Sequence, residues 1–373
     1  MTSHHLISNA QTGASAARPA PVAASGLVHW ARHNLFDGIH NTIFTLLCCA
    51  LLIATVPDLF RWAIWDAAWT SANGADACKA TTGACWAVVQ EKYRLMLFGT
   101  YPYEQHWRGA LVVLILGGMS IVSGFRIFWT KWLLVAWGGA WVAIFVLQLG
   151  GVFGLVSTPT HLWGGLPLTL LIFFGTVIGG LPVAILLALG RQSNLPIIKA
   201  LCIGFVEMVR GVPLVTVLFM AALIFPLFVP ESMTPDKFVR ALIGMLMFFA
   251  AYAADIFRGG LQAIPRGQYE AAEALGLPYW QKTTRIILPQ TLRIVLPALM
   301  NDIIRAFKNT TFIAIIGLFD ILGATKSALE DPIWVSYGTE AYLFVIALYF
   351  VVCFSMSKYS VSLERDLNKG NVR

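Results

Sequence analysis

The chain has 373 residues, 58% of them hydrophobic and only 12% charged, with a mean hydropathy of +0.72. Soluble domains carry roughly a quarter charged residues, so this balance excludes an ordinary soluble domain and describes an all-α polytopic membrane protein. The formal net charge of +7 does not point to nucleic acid, because the basic residues form no stripe and accompany no aromatic platform.

In chain order, residues 1–40 read as a flexible cytoplasmic tail whose first part is rich in Ala, Ser and Pro and has no apolar core. His4 and His5 have no Cys or carboxylate cluster beside them, so no metal site is expected there. Apolar runs long enough to cross a bilayer core of roughly 30 Å fall at 41–60, 109–127, 132–157, 163–189, 200–228, 238–257, 293–317 and 340–357. That predicts about eight transmembrane helices in a lipid bilayer. The first three form an N-terminal extension, 41–157, with a long loop at 61–108. A second block covers 158–365, and 366–373 is a short tail.

Lys and Arg concentrate in the segments that share a side with the N-terminus, among them Arg126, Lys131, Arg191, Lys199, Arg258, Arg266, Lys282, Arg285, Lys358 and Arg365. The other side holds fewer: Arg61, Lys79, Lys92, Arg94, Arg108, Lys237, Arg240 and Lys326. This asymmetry predicts that both termini are cytoplasmic and that 258–292 is a cytosolic loop, with 61–108 on the outer side.

In the outer loop Trp62, Trp65 and Trp69 recur at helical spacing. Two readings stand: an interfacial anchor, or a small cap packed on the helices. Cys78 and Cys85 flank a Gly-containing turn and are either a disulfide in an oxidising compartment or two free thiols. Cys48, Cys49, Cys202 and Cys353 lie in apolar runs and read as core residues.

Within 258–292 the stretch Glu270–Pro289 is a polar island. Glu270 to Leu275 favours helix, Gly276 suits a left-handed C-terminal cap, and Trp280 to Leu288 supplies a second helix that Pro289 is expected to stop. There is no Gly-Lys-Ser/Thr nucleotide loop, no metal-ligand spacing and no nucleophile elbow, so no cofactor is expected in this chain and any energy source is external to it.

The stretch fits the pattern Glu-Ala-Ala-x3-Gly-x9-Ile-x-Leu-Pro through Glu270, Ala271, Ala272, Gly276, Ile286, Leu288 and Pro289. It resembles the coupling loop of the membrane permease subunits of bacterial ATP-binding-cassette importers. Gly165-Leu-Pro-Leu-Thr-Leu, Glu207-Met-Val-Arg-Gly-Val-Pro213, Arg258-Gly-Gly-Leu-Gln-Ala-Ile-Pro265 and Phe307-Lys-Asn-Thr-Thr311 are similar to the polar amino-acid branch, over residues 163–365. The extension, with Leu97-Phe-Gly-Thr-Tyr-Pro102, resembles the M-type permease of the general L-amino-acid importer. Asp255 departs from the Glu expected in most relatives.

The resemblance implies a type I importer core of about five helices in 158–365 and half of a translocation path for L-amino acids in a bacterial inner membrane. It also implies cytosolic ATPase subunits that bind ATP and Mg, a second and homologous permease, and a periplasmic amino-acid-binding protein meeting Pro230–Arg240 and Phe319–Glu340. Glu270 would make a charged contact with the ATPase, and the small Ala271 and Ala272 would allow close approach. A secondary transporter or channel is the alternative from another class; the halves of the chain show no inverted repeat that would favour it.

An amino-acid zwitterion crossing a membrane needs partners for both charges. Asn301, Arg305, Lys308, Asn309 and Phe312 share one helical face with Asp302 beside it, and Thr310 follows. Arg305 is the candidate for the carboxylate, and Asp302 or Asp255 for the ammonium. The competing reading is structural: Asp302–Arg305 and Asp255–Arg258 pair at i, i+3 and fix helix packing.

Overall fold

The computed structural model describes residues 26–70 and 74–368; the tail to residue 25, with His4 and His5, and residues 369–373 lie outside them. The chain divides into two compact units, Met1–Ala67 with Thr81–Ala84, and Ala68–Ala80 with Cys85–Arg373.

In the first unit α1 (Leu27–Leu35) and α2 (Ile39–Phe60) are separated at Gly38, whose φ of +91° few other residues tolerate. The Thr45 hydroxyl donates to the Leu35 carbonyl at 2.7 Å across that break. α2 is apolar on every side and buries none of its residues, as a lipid-facing span does. It continues unbroken through the widened turn Arg61–Trp65. Trp62 and Trp65 therefore ride on the end of the span and not in a loop, as an interfacial aromatic belt requires.

The second unit contains α3 (Asp76–Lys79), α4 (Ala87–Phe98), α5 (His106–Gly124), α6 (Lys131–Leu149), α7 (Gly165–Arg191), α8 (Pro196–Arg210), α9 (Leu214–Phe219), α10 (Phe225–Phe228), α11 (Lys237–Ala263), α12 (Arg266–Ala274), α13 (Tyr279–Lys282), α14 (Leu288–Asn309), α15 (Ile321–Ala328) and α16 (Gly338–Asn368). Among the described residues, seven helices are long and apolar enough to cross a membrane, or eight if the bent pair α8 with α9–α10 counts as one span.

The centre is the seam between α7 and α11. Lipid supplies little hydrophobic drive for helix pairing, so close approach of small residues matters more. Gly175, Gly179 and Gly180 of α7 receive Leu242, Leu246 and Phe249 of α11, and a Cβ on Gly180 would stand 2.6 Å from the Phe249 ring. α14 closes on the same helix, where Thr291 and Val295 lie over Gly260.

Three predicted elements are corrected. The run 132–157 is not one helix: α6 stops at Leu149 because Gly150 and Gly151 take φ of +67° and +78°. The carbonyls of Leu147 and Gln148, left without helix partners at this end, accept from Arg108, whose fully buried guanidinium also donates to Val156 O at 2.9 Å. The run 200–228 is broken, with a bend of 107° between Pro196–Arg210 and Leu214–Phe228. Pro213 lacks the N–H that would continue α8 and biases its neighbour away from helix. Finally, Pro289 stops nothing: α13, the widened turn Thr283–Ile287 and α14 form one helix from Tyr279 onward. The Leu288 N–H reaches back to the Thr283 carbonyl, and this wider register accommodates a proline at the first turn of α14.

The apolar-run cysteines are also not core. Cys49 is exposed, and Cys48, Cys202 and Cys353 are half-buried.

Candidate functional site

The polar loop is a rigid elbow. α12 ends in a Schellman motif: Gly276 N–H donates to Glu273 O at 2.9 Å and Leu277 N–H to Ala272 O at 3.2 Å, with Gly276 at φ +70°. The two arms are braced by Lys282 Nζ on Glu273 Oε1 at 2.5 Å and Gln290 Nε2 on Gln268 Oε1 at 3.1 Å. Tyr269 OH ties α12 back to the Leu261 carbonyl at 3.2 Å.

Within this elbow Glu270, Ala271, Gly276 and Pro289 are exposed, and Ile286 and Leu288 are half-buried. Ala272 is 1% exposed and packs inside its own chain. It is therefore not a surface for close approach, as the sequence reading held; its small size lets α12 lie against the helices beneath. The large exposed side chains are Leu275, Tyr279 and Trp280, at 75%, 52% and 61%. The pattern had not singled them out as contacts. Their signal was available: three bulky apolar residues flank the turn of an otherwise polar loop.

The second constellation is a chain of charges and rings joining four helices. Asp255 of α11 accepts from Arg258 Nη2 at 2.9 Å, Arg210 Nη1 of α8 at 3.1 Å and Arg191 Nη1 of α7 at 3.3 Å. Arg191 also meets Glu207 at 3.0 Å. Arg210 lies 5.4 Å from the Tyr252 ring centroid, and Arg305 of α14 stands 4.2 Å over the same ring. Arg305 Nε donates to Asp302 Oδ1 at 2.8 Å. A guanidinium over an aromatic face keeps part of its stabilisation when water is removed, so Tyr252 links the two ion-pair groups without a carboxylate.

Both i, i+3 pairs named from the sequence are formed. Glu207 and Arg210, also three apart, turn to different partners. Asp302 is buried, with a side-chain exposure of 6%, and its Oδ2 has no hydrogen-bond partner among the described residues. Asn301, Lys308 and Phe312 are exposed along one face of this helix, Asn309 is half-buried and Thr310 is buried, its hydroxyl on the Phe307 carbonyl. Lys308 borders a largely apolar cleft of about 490 Å³ against Tyr349 and Cys353 of α16. No group of His, Cys, Asp and Glu that could hold a metal occurs among the described residues.

Cys78 and Cys85 are joined, with Cα atoms 5.3 Å apart. The segment 319–340, expected to meet a binding protein, is split: Asp320, Ile321, Ala324, Thr325, Ala328, Leu329, Trp334 and Glu340 are buried, while Ile333 and Val335 are exposed.

Residues 180–369 match the family described as "Binding-protein-dependent transport system inner membrane component". The chain is 44% identical to the inner membrane amino-acid ABC transporter permease protein YhdY of Escherichia coli (strain K12), covering 95% of this chain and 96% of that one. It is 36% identical to the glutamate/glutamine/aspartate/asparagine transport system permease protein BztC of Rhodobacter capsulatus, with the same coverage of 95% and 96%. The shorter glutamate/aspartate import permease protein GltK of Escherichia coli O6:H1 is 33% identical, over 57% of this chain and 95% of its own. Among solved structures, an amino acid ABC transporter with histidines is 29% identical, with a TM-score of 0.48, over 54% of this chain and 92% of that one. The chain belongs to the binding-protein-dependent transport system inner membrane components, the membrane permease subunits of ATP-binding-cassette importers, in which this subunit is not itself the enzyme.

Proposed function

We propose that this permease carries L-amino acids and that its elbow, Glu270–Pro289, is the contact through which a cytosolic ATPase drives it. The observation that carries the coupling role is mechanical: the second arm of the elbow is continuous with α14, the helix that bears Asp302 and Arg305. Force on Tyr279 and Trp280 moves the charged face of α14 directly. Leu275, Tyr279 and Trp280 enter an ATPase groove as apolar anchors, Glu270 adds a charge at its rim, and Gly276 keeps the elbow angle. ATP and Mg bind on the ATPase, and closure of its dimer switches the path between two openings.

Amino acids are the proposed cargo because the names of YhdY, BztC and GltK all specify amino-acid transport. Along the path, the free Oδ2 of Asp302 receives the substrate ammonium, and Arg305 turns from Asp302 toward the carboxylate. Asn301, Lys308, Asn309 and Thr310 line the same stretch of α14. Asp255, already held by three arginines, acts as the packing hub beneath it. A second, homologous permease completes the path, and a periplasmic binding protein delivers the substrate. The extension 41–157 precedes this core at 158–365. Both termini and the elbow face the cytoplasm of a bacterial inner-membrane protein.

The test is Gly276→Val in the assembled importer. A β-branched residue at φ +70° costs about 1–2 kcal/mol and opens the elbow. Nothing lies within 4 Å of the added Cβ, so insertion and folding of the spans are expected to persist. ATP-driven uptake should fall about tenfold or more at equal membrane levels; normal uptake would remove the elbow from the coupling path.

A further inference from the structure

The outer side carries a structure that neither the coupling loop nor the substrate path uses. Glu340, in the first turn of α16, is buried at 6% exposure, and its Oε1 accepts from the Cys85 N–H at 2.8 Å. Lys92 of α4 meets Asp331, in the connection between α15 and α16, at 2.7 Å. Ala87, Val88 and Met96 share one buried cluster with Ile321, Ala328, Leu329 and Trp334. The Cys85 amide is itself held in place twice, by the bond to Cys78 at the end of α3 and by the neighbouring Ala87 N–H on the Ala68 carbonyl at 3.1 Å.

We propose that Gly74–Ala80 and Cys85–Phe98, joined through Cys78 and Cys85, form a strap that makes α15 and the first turn of α16 move as one body, and that transport depends on it. The physical reason lies in Glu340. A buried carboxylate needs positioned donors, and the Cys85 amide is one that a loop free of the disulfide would not hold in register. The N-terminus of α16 favours the negative charge, but the amide fixes where that carboxylate, and so the helix start, sits relative to α15. Lys92 fixes the other end of the α15–α16 connection, and hydrogen bonding from Lys92 holds the Asp331 carboxyl below its usual range. The strap thus grips the connection at two points, with an apolar seam between them.

The transport half of this inference rests on the importer reading; the mobility half does not. Hydrogen–deuterium exchange of the full transporter separates them. With Cys78→Ser/Cys85→Ser, amides of 321–345 should exchange about tenfold faster while those of 266–287 stay at wild-type rates. Lys92→Met should give a smaller rise in the same segment. In proteoliposomes, hydrolysis stimulated by the loaded binding protein should fall about threefold while basal hydrolysis is unchanged.

If the serine variant does not assemble, the reconstituted wild type is reduced instead with dithiothreitol. Its two thiols give two electrons and two protons to the Cys78–Cys85 bond and leave as the cyclic disulfide, and alkylation confirms both new cysteine thiols. Exchange of 321–345 within twofold of wild type in the bond-free protein overturns the strap. Faster exchange with unchanged stimulated hydrolysis overturns its part in transport.

Discussion

The elbow at Glu270–Pro289 and the polar chain around Asp255 are built in opposite ways. The elbow is local: its cap, its brace and its exposed apolar residues all come from one short stretch, and few other parts of the molecule are needed to hold its shape. The polar chain is assembled from α7, α8, α11 and α14, and no two of its inter-helix partners are close in sequence. One region presents exposed apolar side chains, while the other joins four helices to one another. Variants in the first should change transport and leave stability alone; variants in the Asp255 group should act first on stability.

The largest effect is expected at Asp255. Asp255→Ala leaves Arg191, Arg210 and Arg258 facing one another with only Glu207 nearby, and for a half-buried group of this kind removing the shared partner costs about 1–3 kcal/mol, between the exposed and buried limits. Thermal unfolding of the purified complex should drop sharply, and Asp255→Glu should restore most of it. If Asp255→Ala keeps the wild-type melting temperature, the cluster is not the packing hub.

Next comes the elbow surface. The double change Leu275→Ala/Trp280→Ala removes two anchors that make little contact within the chain, and uptake is expected to fall about tenfold, equivalent to about 1.4 kcal/mol of lost contact. The melting temperature of the isolated permease should not move. A loss of stability with normal uptake would invert the comparison.

A smaller effect concerns pH. Asp320 caps the N-terminus of α15, accepting from the Gly323 N–H at 2.9 Å, and burial raises its carboxyl from 3.8 to about 6. Between those values the folded chain holds a proton that the unfolded chain has released. Its contribution therefore makes stability fall as pH rises from about 4 to 6, and the full penalty is present above that window. Asp320→Asn, which keeps a capping oxygen, should flatten this part of the pH profile; an unchanged slope in thermal melts at pH 5 and 7 would assign it elsewhere. The smallest change is Glu273→Gln, which weakens a brace whose acidic partner is 62% exposed. Less than about 1 kcal/mol is expected, and less still in high salt.

The same contrast explains what the sequence made legible. The elbow could be read because its determinants are adjacent: a helix-favouring run, a glycine at the left-handed position and a proline after it. The spans were legible from apolar length, but their ends were not where apolar composition alone put them. Gly150–Gly151 and Pro213 end helices inside apolar runs, whereas Pro289 sits in the one register that tolerates it. The Asp255 group and the Arg210–Tyr252–Arg305 contact depend on packing between distant helices, to which spacing along one helix is blind. Glu207 and Arg210 have the same i, i+3 spacing and yet turn to Arg191 and Asp255. Burial of Ala272 and of Asp320 to Leu329 in large part was hidden for the same reason, since the covering residues come from elsewhere in the chain.

The central claim is that α13, the turn Thr283–Ile287 and α14 act as one shaft between the ATPase contact and the charged face. Spin labels at Gln281 and Asn301, both exposed, lie on that shaft about 30 Å apart at 1.5 Å per residue. A third label at Leu186 of α7, also exposed, provides a reference on another helix. In the full transporter, ATP binding should leave the Gln281–Asn301 distance unchanged while the Gln281–Leu186 distance shifts. A change in the Gln281–Asn301 distance would show that the helix bends between the labels, at Pro289 or Pro297, and that motion of the elbow does not reach Asp302 and Arg305 as a rigid displacement.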